Sequence, residues 1–386
     1  MDHTEQQCLA QIKQLLDSIE EDNLPQCDSS SIGCSQQASL PMPPNTGNPA
    51  GFNCPEDTET CPVTLKSLPG RGIGVVATRF IPAGSLILQD DATLTIPKPR
   101  PTTQAFLLTL VTQYLSCSAE VQKQILALHA HSSPGGADYV HGLLTTEDDA
   151  LQLAEHQVKF IIRLHSTFTT NMFDETAPGA SSLFLQASRF NHSCVPNCDY
   201  GHMSDETRTT MTIRASQDIK AGEELCLTYV TYYDDRAQRM ADLKQNWGFD
   251  CNCPACDYED PEVDTEAHEE TLAEYRLLRR DPFFRTLYSY CPKILWSSEL
   301  DEALARSIRR SQIAEIMGDT YCAIVNHIVS SSACKEKWLW TSDPEDYKSH
   351  IRFLQQGQLL AERMPASKQG EAIKARMEQA LSEVWN

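Results

Sequence analysis

The hydrophobic pattern of this chain changes texture several times along its length. Between residues 5 and 22, Leu9, Ile12, Leu15, Leu16 and Ile19 recur at helical spacing and acidic residues close the segment. This predicts a short amphipathic helix within residues 1–24. Residues 25–62 then turn rich in Pro, Ser, Asn, Gly and Gln and include Met42-Pro43-Pro44-Asn45-Thr46-Gly47. That composition reads as a disordered linker, because too little apolar surface is present to offset the entropy of ordering it. From Val63 to Ile96, short apolar runs (Val75, Val76, Phe80, Ile81, Leu86, Ile87, Leu88) are broken by Gly and Pro, the signature of strands and tight turns. Residues 102–165 return to helical spacing, with Phe106, Leu107, Leu110 and Val111 on one face and Val121, Ile125 and Leu128 following. Strand texture reappears at Thr209–Ala215 and Glu224–Tyr229. After Pro261 the period is helical to the end, with Leu300, Leu304, Ile308, Ile316, Ile324 and Ile328 mostly in steps of four or eight. Two strand-rich blocks therefore flank a helical insert, and a helical unit follows. No 34-residue tetratricopeptide pattern is evident.

Charge narrows the range of partners. The chain carries 32 Lys and Arg against 53 Asp and Glu, a net charge of −21. That balance disfavours direct contact with nucleic acid, which needs clustered cations against phosphates. It suits a basic partner steered by long-range attraction, with solubility alone as the alternative. The opening Met1-Asp2-His3-Thr4-Glu5 does not resemble a secretory signal, and no apolar run is long enough to suggest a membrane span. The 15 cysteines are an odd number scattered through a large chain, expected to be reduced core residues or metal ligands. Cys27, Cys34, Cys54 and Cys61 pair at a spacing of seven, wider than the roughly two to four residues usual for zinc pairs.

Four segments carry candidate chemistry: Gly70-Arg71-Gly72-Ile73-Gly74; Arg189-Phe190-Asn191-His192-Ser193-Cys194-Val195-Pro196-Asn197; Gly222-Glu223-Glu224-Leu225-Cys226-Leu227-Thr228-Tyr229; and Phe249-Asp250-Cys251-Asn252-Cys253-Pro254-Ala255-Cys256. Singly, the first is a glycine turn, the second a polar loop and the third a packed strand end. The cysteine triplet is metal-like by itself. Taken in this order, they resemble the SET methyltransferase family over roughly residues 64–257. The glycine turn looks like the start of the SET fold, and the next two segments look like its knot. Cys-x-Cys-x-x-Cys looks like a post-SET segment with the spacing of the SMYD type.

The resemblance implies S-adenosylmethionine (SAM) as cofactor, with Gly70, Arg71, Gly72, Asn171, Asn191, His192, Tyr229 and Phe249 around it. The glycines would allow close backbone approach, and Arg71 would pair with the SAM carboxylate. Asn191 and the His192 backbone match adenine contacts, Asn171 resembles a further cofactor contact, and Phe249 matches an aromatic on the adenine face. Tyr229 is the implied catalytic residue, orienting methyl, amine and sulfur for in-line displacement. A free imidazole titrates near neutrality, yet the resemblance gives His192 cofactor binding and knot structure rather than base catalysis. Tyr232 and Tyr233 are candidates for the lysine channel, with partly buried surface aromatics the alternative. Cys251, Cys253 and Cys256 leave a tetrahedral zinc one ligand short. The resemblance supplies Cys194, with Cys198 the nearest competitor.

Three departures stand out. Residues 97–165 lack the dense Cys and His array of a MYND domain, Thr228 replaces an acidic residue or Asn common before the tyrosine, and Gly74 replaces a bulky residue. The expected architecture is α+β: residues 1–24 as the helix, 25–62 as linker and 63–240 as a mainly β SET fold with its helical insert at about 102–170. A post-SET zinc segment at 241–258 and an α-helical C-terminal domain at 264–386 complete it. The implied activity is methylation of a lysine on a protein or peptide, which the acidic net charge leads one to expect is basic, by a monomer in nucleus or cytoplasm. The alternatives are a non-catalytic SET-like scaffold binding SAM or peptide, and a SET-fold enzyme acting on a small molecule.

Overall fold

The computed structural model describes residues 3–18, 61–98, 102–145, 148, 150–174, 179–204, 208–230, 234–257, 265–280 and 297–385. The linker reading and Tyr232 and Tyr233 lie outside these residues, apart from the linker's last two positions.

Helix α1 (His3–Asp17) buries Cys8, Leu9, Ile12 and Leu16, the face that the apolar spacing selects. It packs on the helical insert, made of α2 (Thr103–Ser116), α3 (Ala119–Leu126), α4 (Gly136–Leu144) and α5 (Glu155–Asn171). Thr102 and Ser118 cap α2 and α3 through their hydroxyls. One apolar cluster joins Leu9, Ile12 and Leu16 to Phe106, Leu107, Leu110, Phe160, Ile161 and Phe168. At the edge of that cluster, Gln157 Nε2 donates to Asp17 at 3.0 Å.

The strands form three small sheets. Strands β1 (Val63–Leu68), β2 (Gly72–Ala77), β7 (Asn191–His192) and β10 (Glu224–Leu227) run in the order β1-β2-β10-β7. A second sheet orders β3 (Leu86–Asp91), β9 (Thr209–Ala215) and β8 (Cys198–Ser204) as β3-β9-β8. The third orders β4 (Leu94–Pro97), β6 (Ala180–Leu183) and β5 (Met172–Asp174) as β4-β6-β5. Strand β9 alternates buried and half-buried residues along its length, as a strand with one covered face must. Val75, Ile87, Phe184, Phe190, Ile213 and Leu225 fill the core between the sheets. The pairing of β7 with β10 is parallel, Cys226 opposite Asn191 and Leu227 opposite His192, so two segments distant in sequence are drawn side by side.

Helix α6 (Arg236–Trp247) follows the sheets, capped by the Asp235 carboxylate and ended by Gly248 at φ +80°. Helices α7 (Thr265–Arg280), α8 (Ser297–Ile316), α9 (Thr320–Thr341), α10 (Pro344–Arg363) and α11 (Lys368–Trp385) make the C-terminal part. Here the apolar period misjudges α8. Ile316 is 60% exposed, while Leu300, Ala303, Ser307, Arg310, Ile313 and Ala314 are buried. Small residues let α8 approach α9 closely, and Ser307 and Ser330 share a hydrogen bond at 2.7 Å across the contact. The Ala366 N–H donates to Thr212 Oγ1 at 3.0 Å, tying the turn before α11 to β9.

Candidate active site and metal centre

The β1–β2 turn places Arg71 between Gly70 at φ +71° and Gly72 at φ +73°, conformations that favour glycine. A Cβ on Gly70 would meet nothing within 4 Å of this chain, so the backbone angle is what requires glycine there. Arg71 fans out over the sheet: Nε donates to Glu224 Oε2 at 2.8 Å, and one terminal nitrogen donates to the His192 carbonyl at 2.8 Å. The other terminal nitrogen reaches Asn252 Oδ1 at 3.1 Å. Burial works against its charge, but the Glu224 carboxylate beside it, together with the nearby Cys226 and Cys251, tips the balance and the Arg71 pKa rises. Glu224 is shared, because its Oε1 accepts from Asn191 Nδ2 at 2.8 Å. A Cβ on Gly74 would lie 2.6 Å from Glu224 Oε1 and 2.8 Å from Asn191 Nδ2. The missing side chain at 74 thus leaves room for the carboxylate that links Arg71 to Asn191.

His192 is buried with both ring nitrogens engaged. The Tyr229 N–H donates to Nδ1 at 3.0 Å, which leaves the proton on Nε2, 3.3 Å from Cys194 Sγ. Burial lowers its pKa to about 4, so the ring is neutral and has no free nitrogen for base catalysis. Tyr229 donates its hydroxyl to the Phe190 carbonyl at 2.6 Å, and burial pushes its pKa well up, so it is held as a neutral phenol. Its ring lies 5.3 Å from His192 and 5.3 Å from Trp247, and Phe249 lies 6.2 Å from His192. Thr228, one residue earlier, uses its hydroxyl on the Val230 carbonyl at 2.9 Å.

Asn171 ends α5, and its side-chain nitrogen is spent on the carbonyls of His129 at 2.6 Å and Thr167 at 2.8 Å. Its side-chain hydrogen bonds are with the insert, whereas those of Asn191 are with the β1–β2 turn and Glu224. The insert also grips the C-terminal end of α6: Trp247 Nε1 donates to the Thr170 carbonyl at 2.9 Å, and the His129 and His131 rings bond the carbonyls of Trp247 and Gln245, each at 3.0 Å. Sequence reasoning did not find Trp247, His129 or His131 because a lone His or Trp has a packing reading wherever it stands.

Cys194, Cys251, Cys253 and Cys256 are buried with their sulfurs all within 4.8 Å of one another. The Cys194 and Cys256 sulfurs are 3.6 Å apart, close to the ~3.8 Å edge of a tetrahedron with metal–sulfur bonds of about 2.3 Å. Four thiol groups at this spacing fit a zinc ion. Hydrogen bonding among the sulfurs, led by Cys251 at Cys194 and by Cys194 at Cys253, drives Cys194 up and Cys253 down. Cys198 is buried in the inter-sheet core instead and does not join the group. Arg239 on α6, 1% exposed, donates to Cys194 Sγ at 3.2 Å, and Arg236 donates to the Cys256 carbonyl at 2.8 Å. Neither was found from sequence, since an arginine on a helix ordinarily faces water. Cys61 is disulfide-bonded, contrary to the expectation of reduced cysteines throughout; Cys27, Cys34 and Cys54 lie outside the described residues.

Residues 72–230 match the family model described as "SET domain". Histone-lysine N-methyltransferase SET5 of Meyerozyma guilliermondii is 31% identical over 161 residues, covering 37% of this chain and 32% of that protein. SET5 of Yarrowia lipolytica is 43% identical over 82 residues, covering 21% and 18%. Protein-lysine N-trimethyltransferase SMYD5 of Mus musculus is 34% identical over 127 residues, covering 31% and 30%. The matches therefore span about a third or less of these relatives' own length. Arg71 lies just before the matched segment, and Phe249 and three of the four cysteines lie beyond it. With the parallel β7–β10 pairing at its centre, the chain carries a SET domain over residues 72–230 and is related through it to the SET5 and SMYD5 proteins.

Proposed function

We propose that this chain is a SAM-dependent methyltransferase acting on a lysine side chain of a protein, histone or not. The observation that carries this reading is the meeting of Arg71, Asn191, His192 and Tyr229 where β7 and β10 pair. When bound, SAM supplies an electrophilic methyl group on sulfur. Arg71 and Asn191, held by Glu224, would bind its polar ends, with Gly70 and Gly72 shaping the turn and Phe249 facing the adenine. Asn171 is the weakest member of this set, because its amide nitrogen is already committed.

Tyr229 would orient the reacting atoms. Its proton is given to the Phe190 carbonyl, which leaves the oxygen lone pairs as the part that could accept from an incoming amine. A free lysine amine has a pKa of about 10.4 and attacks only when neutral. A nearby sulfonium and an apolar channel both favour that form, and solvent takes the proton. No side chain is needed as base, in keeping with the engaged ring of His192. The net charge of −21 suits a basic protein substrate, met in nucleus or cytoplasm. We assign zinc to Cys194, Cys251, Cys253 and Cys256, where it would hold the Phe249 segment over the site. Among the described residues no helix is long and apolar enough to cross a membrane.

The test is purified chain incubated with methyl-labelled SAM and cell extract, followed by mass spectrometry of modified sites. Methyl-lysine in protein bands is the expected result. Tight SAM binding with no transfer to any extract component would favour the scaffold reading, and label confined to the small-molecule fraction would favour a small-molecule substrate.

A further inference from the structure

The metal centre is wrapped by two arginines one helical turn apart. Arg239 donates through Nε to Cys194 Sγ at 3.2 Å and through a terminal nitrogen to Cys256 Sγ at 3.8 Å. The same terminal nitrogen donates to Glu269 Oε1 at 2.8 Å, and the remaining one donates to the Asp234 carbonyl at 2.7 Å. Every branch of a guanidinium that is 1% exposed is thus engaged. Glu269 stands on α7, the first helix of the C-terminal part, and its other oxygen accepts the Arg236 N–H at 3.2 Å. Arg236 in turn closes on the Cys256 carbonyl through two nitrogens, at 3.1 and 2.8 Å.

A divalent cation bound by four thiolates carries a net charge of about −2, which is costly to bury without a compensating cation. Arg239 is placed to supply that charge, and its N–H groups draw electron density from the two sulfurs they meet. A guanidinium suits this better than an ammonium, because its planar fork reaches two sulfurs and a carboxylate at once. We propose that Arg239 is a positioning residue for the metal centre, and that Glu269, reaching it from α7, holds its guanidinium on the sulfurs. The inference rests on the reading of the four cysteines as a zinc site. It gives the C-terminal helices a direct hold on the segment that carries Trp247 and Phe249, beyond mere attachment to the catalytic part.

The experiment uses the full chain. Zinc content is measured first, and then the rate at which zinc passes to a chromogenic chelator, in wild type, Arg239→Met, Arg239→Lys, Glu269→Gln and Leu272→Ala. Partners of metal ligands typically change metal affinity about 10- to 100-fold when removed. Arg239→Met should release zinc at least about tenfold faster, with Arg239→Lys and Glu269→Gln between it and wild type. Leu272 is buried in the apolar contact between α7 and α8, away from the sulfurs. Leu272→Ala should lower the melting temperature yet release zinc at nearly the wild-type rate, which a merely structural role for Arg239 would not produce. In cobalt-substituted protein, the sulfur-to-metal charge-transfer band should shift in Arg239→Lys and not in Leu272→Ala. If Arg239→Met does not fold, Arg239→Lys and Glu269→Gln carry the test. Zinc-loaded variants of Arg239 and Glu269 that release metal within twofold of wild type would overturn the inference. So would a Leu272→Ala rate as fast as that of Glu269→Gln. Absence of zinc from the wild type would instead overturn the metal-site reading on which the inference rests.

Discussion

Replacing Gly74 with alanine tests the cofactor side of the site with a single added carbon. Gly74 lies in strand β2 and is not among the left-handed glycines, so alanine brings no backbone strain of its own. The cost comes from space. The new Cβ would stand 2.6 Å from Glu224 Oε1, 2.6 Å from Leu68 Cδ1 and 2.8 Å from Asn191 Nδ2, and no carbon tolerates such contacts. The Glu224 carboxylate is the atom group that yields, since both it and the Asn191 amide end side chains that can rotate. Its withdrawal breaks the 2.8 Å bond to Asn191 and disturbs the 2.8 Å pair with Arg71. A hydrogen bond to a charged group contributes about 1.5–3 kcal/mol. If Asn191 and Arg71 bind SAM, that loss corresponds to roughly 10- to 150-fold weaker affinity. Overpacking should also lower stability by about 1–3 kcal/mol, so urea titration must first show the variant folded under assay conditions. Isothermal calorimetry with SAM then decides. Native affinity in folded Gly74→Ala would show that the Arg71–Glu224–Asn191 bridge is scaffolding remote from the cofactor.

Tyr229→Phe should cut methyl transfer at least about tenfold while SAM affinity stays near normal, because one aligned hydroxyl is lost from the transition state; unchanged turnover would place Tyr229 outside the reaction. Cys253→Ser should lower zinc content and activity together while the helical circular dichroism persists, and active protein free of zinc would refute the four-cysteine site. Burial raises the Asp90 carboxyl from 3.8 to about 6, so between those values the native state binds more protons than the unfolded one. Stability therefore falls as pH rises through that window, and Asp90→Asn should flatten the slope in urea titrations at pH 4 and pH 7.

Much of the site could be read from residues whose neighbours in sequence share their task. The glycine turn, the Asn-His-Ser-Cys segment and the cysteine triplet each announce a local geometry, and Cys194 does join the triplet in space. What escaped was residues whose role depends on a partner far away in sequence. Helix α6 buries Arg239 and Leu243, so its inward face holds a cation that the apolar period assigns to solvent. Nothing near Arg239 in sequence reveals that Cys194, 45 residues earlier, will meet it. Glu224 was visible as part of a motif but not as a bridge, because its two partners lie 153 and 33 residues away. On α8 the reading failed for a different reason. Close approach of two helices selects Ala303 and Ser307 for their size, and a search for large apolar residues passes over them.

The buried imidazole of His192 explains why these parts behave as one unit. Its carbonyl accepts from Arg71, its Nδ1 accepts from the backbone of Tyr229, and its Nε2 faces the sulfur of Cys194. Arg71, the tyrosine and the four-cysteine cluster therefore share one residue, each through a different atom. A ring engaged at both nitrogens, on a residue whose backbone carbonyl is also held, has little freedom to tilt, and Tyr229 inherits its position from a backbone bond to that ring. The Tyr229 hydroxyl is then aimed by a second bond, to the carbonyl of Phe190, two residues before His192. Backbone and side chain of the tyrosine are thus both set by the same short segment that delivers Cys194 to the four-cysteine cluster. A metal that holds Cys194 in place would hold that segment, and through it the phenol, so loss of the ion should disorder the alignment of the hydroxyl before it unfolds the domain.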